Sequence, residues 1–308
     1  MKVTLIHNPK AGEGETADGE HLVELVRAQG HDLTYQSSKR SDWEKALEAP
    51  ADLIAVAGGD GTVNKVVKCL VGRSATVTVL PTGTANNIAK SFGLLETPVE
   101  KLIAGWKNAR RTNFDIGQAV GPWGSTVFVE GLGVGFVADM ISKLDEAGSP
   151  EKDHLERSAD KVASAQRALR ERLQRHATSK LMIKLDGADL SGDYVLVEVL
   201  NTPYVGPNLR LAPKADAGDG QLDVVLVGDD DRDKLSQYLL RSIEGKESTP
   251  GLKIKRGSHL HIGGARLRVH IDDRTWPEGD PAEGHVPDLI GMTLLVHALD
   301  FLVPAAQQ

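Results

Sequence analysis

Ile54-Ala55-Val56-Ala57-Gly58-Gly59-Asp60-Gly61-Thr62-Val63-Asn64 is the stretch from which the rest of the chain is read. An apolar run of strand character delivers glycines, an acid and a hydroxyl to the start of a helical pattern. Glycines let backbone amides approach a ligand without interference from Cβ atoms. A helix N-terminus adds positive potential, and an aspartate can hold Mg²⁺ directly or through water. The stretch therefore has the makings of a phosphate-binding turn. The same residues also suit a tight turn in which Asp60 or Thr62 caps the helix.

Two more turns of this kind flank it. Leu80-Pro81-Thr82-Gly83-Thr84-Ala85-Asn86-Asn87-Ile88-Ala89 again runs from strand to helix through Gly, Thr and Asn, so Thr84 and Asn86 are candidate donors to phosphate or ribose oxygens. Asn8-Pro9-Lys10-Ala11-Gly12-Glu13-Gly14 breaks the β-rich run Lys2 to Ile6. Between the turns, helical spacing covers Gly19 to Gln29 and Val63 to Val71. Extended segments are expected at Leu33 to Tyr35, Asp52 to Ala57 and Thr76 to Leu80, and helical ones at Trp43 to Leu47 and Ala85 to Phe92. Such alternation implies a parallel sheet with helices on its faces, whose ligands gather at the strand carboxyl ends.

Beyond Ala109 the texture changes to glycine-punctuated β segments at Phe114 to Val120, Thr126 to Glu130, Leu181 to Leu185, Tyr194 to Asn201, Leu222 to Val227 and Arg266 to Ile271. Their spacing predicts an antiparallel sheet or sandwich. Glu151 to His176 reads as a long exposed helix with a solvated charged face. Leu294 to Val303 reads as a strand that packs back. The fold class is thus α/β plus β: a Rossmann-like nucleotide-binding domain over residues 1–112, joined by the C-terminal strand within 294–308, and a β-sandwich-like domain over 113–293 that takes the lipid substrate implied below.

With 308 residues, 40% of them apolar and 26% charged, the chain falls in the globular class. Its 36 Lys and Arg against 43 Asp and Glu give a charge of −7, which argues against a nucleic-acid partner. The apolar runs are too short for a membrane span. The sole cysteine, Cys69, and the strand-like start after Met1 point to a reducing cytoplasmic location. The ten histidines form no metal-spaced cluster with Cys69.

Asn8-Pro9 with Gly12, the run Gly58-Gly59-Asp60-Gly61-Thr62-Val63-Asn64 and the run Pro81 to Ala89 resemble the signatures of diacylglycerol kinase-like lipid kinases. The likeness continues through Phe114-Asp115-Ile116-Gly117, Gly131 to Phe136 and Leu211 to Asp223, covering nearly the whole chain. It implies ATP and Mg²⁺ as cofactors and transfer of the γ-phosphoryl group to a lipid hydroxyl, in phospholipid biosynthesis, in a cleft between two domains. By this resemblance the nucleotide is held by Asn8, Gly12, Ser37, Gly58, Gly59, Asp60, Gly61, Thr62, Val63, Asn64, Gly83, Thr84 and Asn86. A structural Mg²⁺ falls to Asp216, Asp219 and the backbone of Gln221, where an ordinary Asp-Gly turn is an equal reading. The family's late Asp-Gly-Glu motif, which supplies the catalytic base, corresponds to Asp272-Asp273-Arg274, leaving Asp272 as base and a charge reversal at Arg274. Glu278 and Asp280, a few residues on, are the candidate acids to compensate. Expected partners are ATP, a lipid met at the membrane surface and, in a homodimer, a second copy of the chain. Two other classes stay open: an NAD kinase-like phosphotransferase, and a nucleotide- or lipid-binding protein that has lost catalysis.

Overall fold

Short apolar strands alternating with amphipathic helices can bury both kinds of element only as a covered parallel sheet, and the computed structural model has that arrangement in its first unit. Residues 1–12, 18–146, 158–265, 267–277 and 289–305 are described. The expectations at Glu13, Gly14, residues 151–157, Arg266, Glu278 and Asp280 lie outside them.

The chain divides into two compact units, one of Met1–Asp115 with Val296–Gln308 and one of Ile116–Leu295. The first unit contains β1 (Lys2–His7), α1 (Gly19–Ala28), β2 (Asp32–Ser37), β3 (Leu53–Gly58), α2 (Asp60–Leu70), β4 (Thr76–Pro81), α3 (Asn87–Ser91) and α4 (Val99–Gly105). Its strands run parallel in the order β2-β1-β3-β4. All six residues of β3 are buried, as a central strand covered on both faces requires. Helix α1 is capped by Asp18, which accepts the Glu20 N–H, and it buries Leu22 and Val26. The C-terminal strand adds to this sheet in parallel, with Asp300 opposite Thr76 and Phe301 opposite Val77 of β4. Phe301 stacks on Phe92 at 4.9 Å and packs against Phe114 at 4.5 Å. The expected return of the last strand is therefore sealed by aromatic burial.

The second unit takes up β5 (Arg110–Gly121) from residue 116, then β6 (Gly124–Phe128), β7 (Gly131–Gly135), α5 (Phe136–Glu146), α6 (Ser158–Leu173), β8 (Ser179–Leu185), β9 (Ala188–Asp189), β10 (Gly192–Tyr194), β11 (Leu196–Leu200) and β12 (Leu222–Val227). There follow α7 (Arg232–Ile243), β13 (Lys253–Gly257), β14 (Leu260–Gly264), β15 (Val269–Ile271), β16 (Arg274–Trp276) and the first residues of β17 (Ile290–Val303). One antiparallel sheet has the order β13-β12-β11-β7-β15-β16, and β10, β8, β14 and β17 pair antiparallel in that order in a second layer. Leu132, Val199 and Val224 of the first meet Ile183, Ile262 and Ile290 of the second in one core, which makes the unit a sandwich. The opposite face of the first sheet is covered by α5, α6 and α7 through Phe136, Leu169, Leu173 and Leu235.

Several expectations change. Helix α2 starts at Asp60, not Val63, so Asp60, Gly61 and Thr62 form its first turn. Helix α6 is not wholly exposed, because Leu169 and Leu173 are buried against the sheet. The β texture also concealed α5 and α7. Among the described residues, no helix is long and apolar enough to cross a membrane.

Candidate active site

In the first unit three of the candidate turns emerge from neighbouring strands β1, β3 and β4 at their carboxyl ends. Gly58 packs so closely on Thr62 that a Cβ there would lie 2.7 Å from the Thr62 Cβ. Gly59 and Gly83 press backbone to backbone, and a Cβ on Gly83 would lie 2.2 Å from the Gly59 Cα. The two glycine turns are thus one built feature, and no other residue type fits at Gly83. Asn8 joins the third turn to it, because its Nδ2 donates to Thr62 Oγ1 at 3.1 Å while its own Oδ1 accepts the Lys10 N–H.

Asp60 stitches the turns from the side. Its Oδ1 accepts the Ile88 N–H at 3.0 Å, at the start of α3. Burial pushes the Asp60 carboxyl up, and hydrogen bonds from the Ile88, Asn87 and Asn86 backbone work against that rise. Asp60 thereby braces α3 against α2. Asn86 likewise closes its own turn. It lies in the left-handed region at φ 51, and its carboxamide accepts the Gly83 N–H at 2.9 Å and donates to the Gly83 carbonyl at 2.8 Å.

Thr62, Val63 and Asn64 are buried along α2, so the accessible part of the first glycine run is Gly59, Asp60 and Gly61. Those residues stand at the N-terminus of an eleven-residue helix, whose first N–H groups have no partner within the helix. Thr84 and Gly12 are exposed. Ser37 lies across from His7 at the end of β2, and its Oγ accepts the Lys39 N–H. The sequence reading overlooked Thr82, buried in the second turn, and Lys90, whose pKa burial lowers while the charge of Asp60 raises it. Lys90 stands four residues after Asn86, one helical turn on, and that spacing was the available signal.

In the second unit Asp272 occupies the β15–β16 turn in the left-handed region at φ 53. It is 7% exposed. Its Oδ1 accepts the Val129 and Glu130 N–H groups at 2.9 Å each and the Gly131 N–H at 3.4 Å. Arg274, two residues on, is exposed.

Asp216 and Asp219 turn inward on their own loop, accepting the Gly218 and Gln221 N–H groups at 3.0 Å each. Arg256 supplies the positive charge: it forms an ion pair with Asp219 and lies 3.6 Å from Asp223 Oδ1. Burial raises the Asp223 pKa to about 6, with Arg256 opposing the rise and Asp219 adding to it. Among the described residues no group of three or more His, Cys, Asp or Glu side chains is arranged to hold a metal ion. Both Asp219 oxygens are engaged, Oδ1 by the Gln221 N–H and Oδ2 by the Arg256 guanidinium.

Comparison with known proteins agrees with this architecture. The family model of the diacylglycerol kinase catalytic domain matches residues 2–119, and that of the YegS C-terminal NAD kinase beta sandwich-like domain matches residues 144–291. A diacylglycerol kinase of Mycobacterium tuberculosis (strain ATCC 25618 / H37Rv) is 24% identical over 294 residues, covering 88% of each chain. A diacylglycerol kinase of Bacillus subtilis (strain 168) is 27% identical over 236 residues, covering 73% of each. The crystal structure of a putative diacylglycerol kinase from Bacillus anthracis str. Sterne superposes with a TM-score of 0.71 at 21% identity, covering 99% of this chain and 97% of that one. The paired glycine turns on a parallel sheet, the sandwich that follows and these matches along both units lead to one conclusion: the chain belongs to the diacylglycerol kinase-like lipid kinase family.

Proposed function

We propose that the protein is an ATP-dependent kinase that phosphorylates a hydroxyl of a lipid such as diacylglycerol, met at a membrane surface. The observation that carries the reading is the contact of Gly59 with Gly83 at adjoining strand ends, which leaves a backbone surface free of Cβ atoms beside the α2 N-terminus. Gly59, Asp60 and Gly61 present amides to phosphate oxygens there, and exposed Thr84 adds a hydroxyl. When bound, MgATP supplies the γ-phosphoryl group, and Mg²⁺ of this kind needs only one or two protein carboxylates beside the phosphates. Asp272 would take the proton of the lipid hydroxyl as the hydroxyl oxygen bonds to the γ-phosphorus and the bond from that phosphorus to the ADP oxygen breaks, with ADP as the leaving group.

The test is transfer from labelled ATP to a panel of diacylglycerol, phosphatidylglycerol and sphingoid bases, with NAD as a soluble control. A labelled lipid is expected. Labelled NADP alone would replace this reading with the dinucleotide one. Arg274, where the family places an acid, favours a second reading in which ATP is bound without turnover; binding with no labelled product would establish it. Asp272→Asn should lower kcat by about 10²–10⁴ while the ATP affinity stays unchanged.

A further inference from the structure

Glu198, Gly133 and His270 lie side by side on adjacent strands. Glu198 of β11 is opposite Gly133 of β7, and Gly133 is opposite His270 of β15. A Cβ on Gly133 would lie 2.3 Å from Glu198 Oε2. The glycine therefore leaves a gap through which its two neighbours meet, His270 Nε2 to Glu198 Oε2 at 2.7 Å, with both side chains fully buried. The other ring nitrogen, Nδ1, is 3.1 Å from the main-chain oxygen of Asp272.

The protons follow from these partners. A carbonyl oxygen only accepts, so Nδ1 carries a hydrogen and donates it to Asp272. A carboxylate also only accepts, so a further proton sits between Nε2 and Glu198. Burial acts against a charged His270, but the Glu198 charge, the hydrogen bonds to Glu198 and Asp272, and the Asp272 charge outweigh it and raise the pKa. Apolar side chains of similar volume would fill such a site at no loss of stability, so packing alone does not account for the pair. Asp272, at the other end of the contact, holds a left-handed backbone that a non-glycine residue keeps only when its surroundings fix it.

We propose that Glu198 and His270 are positioning residues for Asp272: the pair clamps the Asp272 carbonyl, fixes the turn, and so seats the carboxylate on the Val129–Gly131 amides. The catalytic consequence rests on the reading of Asp272 as the base; the clamp itself does not.

Two substitutions separate the clamp from simple volume. Asn places an amide near the position of Nδ1 and keeps the bond to the Asp272 carbonyl, whereas Gln places one near Nε2 and keeps the bond to Glu198. Amide hydrogen exchange at Val129 and Glu130 should speed up at least tenfold in His270→Gln and less in His270→Asn, with β12 and β13 amides unchanged. The kcat for lipid phosphorylation should fall in the same order at constant KM for ATP. Unchanged exchange in both variants, or better retention in Gln than in Asn, would overturn the clamp. Should neither variant fold, the ¹⁵N shifts of His270 in the unaltered protein decide: a protonated Nδ1 at pH 7 is expected, and a bare Nδ1 overturns the proposal. If the unaltered protein phosphorylates no lipid, the kinase reading fails while exchange and ¹⁵N shifts still judge the clamp. If it does and the clamp tests fail, the clamp alone is lost.

Discussion

The glycine turns of the first unit and the Asp272 turn of the second are both tight and both present polar groups, yet they are held in opposite ways. Gly59 and Gly83 meet backbone against backbone, a contact that only the absence of their side chains allows, with the Asn86 carboxamide closing the second turn. Asp272 is fixed by the presence of side chains, its own carboxylate on three amides and His270 on its carbonyl. The first arrangement fails on addition of an atom, the second on loss of a hydrogen bond. Steric exclusion is steep and independent of pH, whereas a hydrogen-bonded seat depends on proton occupancy.

Gly83→Ala should be the most damaging change, because its new Cβ would meet backbone that has no rotamer to yield. We expect a loss of more than about 3 kcal/mol in denaturant unfolding. A loss under 1 kcal/mol would show that the two turns can separate.

Gly133→Ala carries the comparison into the second unit, where the obstructing atom is the end of the Glu198 side chain. Glu198 can swing aside, so a smaller loss of about 1–3 kcal/mol is expected. It should be accompanied by faster exchange at Val129 and Glu130. If stability falls without that local change, Glu198 acts on packing rather than on Asp272.

The first unit also relies on side-chain hydrogen bonds, and Asp60 supplies the one that reaches α3. Asp60→Ala should cost about 1–2 kcal/mol by removing the acceptor of the Ile88 N–H, while Asp60→Asn keeps an acceptor and most of the stability. Equal losses would mean that the charge, not the bond, is what matters.

The smallest effect is expected at Asp223, which lies opposite Leu200, itself opposite Gly131, on the same end of the sheet as Asp272. Its folded pKa of about 6 is above the ordinary value of 3.8, so the folded state binds the proton more tightly. The stability this brings is complete below about pH 4 and is lost as pH rises through 6. Asp223→Asn should then stabilise the protein by about 1 kcal/mol at pH 7 and by nothing at pH 4. Thermal melts at the two pH values read the difference, and a pH-independent change would place the effect on Arg256 instead.

The twin turns were legible because each is written in consecutive residues: an apolar strand, glycine, a capping residue and a helix. Local sterics dictate such units wherever they occur. Helix α7 carries its signal in the spacing of Leu235, Tyr238 and Leu239, a short helical pattern set among β-rich segments that hide it. The contact of Gly59 with Gly83 depends on β3 and β4 being neighbours, and parallel alternation made that expectation reasonable without giving the distance.

What the sequence by itself determined is the order of strand, turn and helix in the first unit, the β-rich character of the second, and the two glycine turns, since these depend on neighbouring residues along the chain. Tertiary structure alone decided that Asp60 braces α3, that Arg256 lies among the acids of the 216–223 loop, and that Glu198 meets His270 across Gly133. Glu198 and His270 are 72 residues apart. Only the register of three antiparallel strands brings them level, and register is set by which faces the whole sandwich buries.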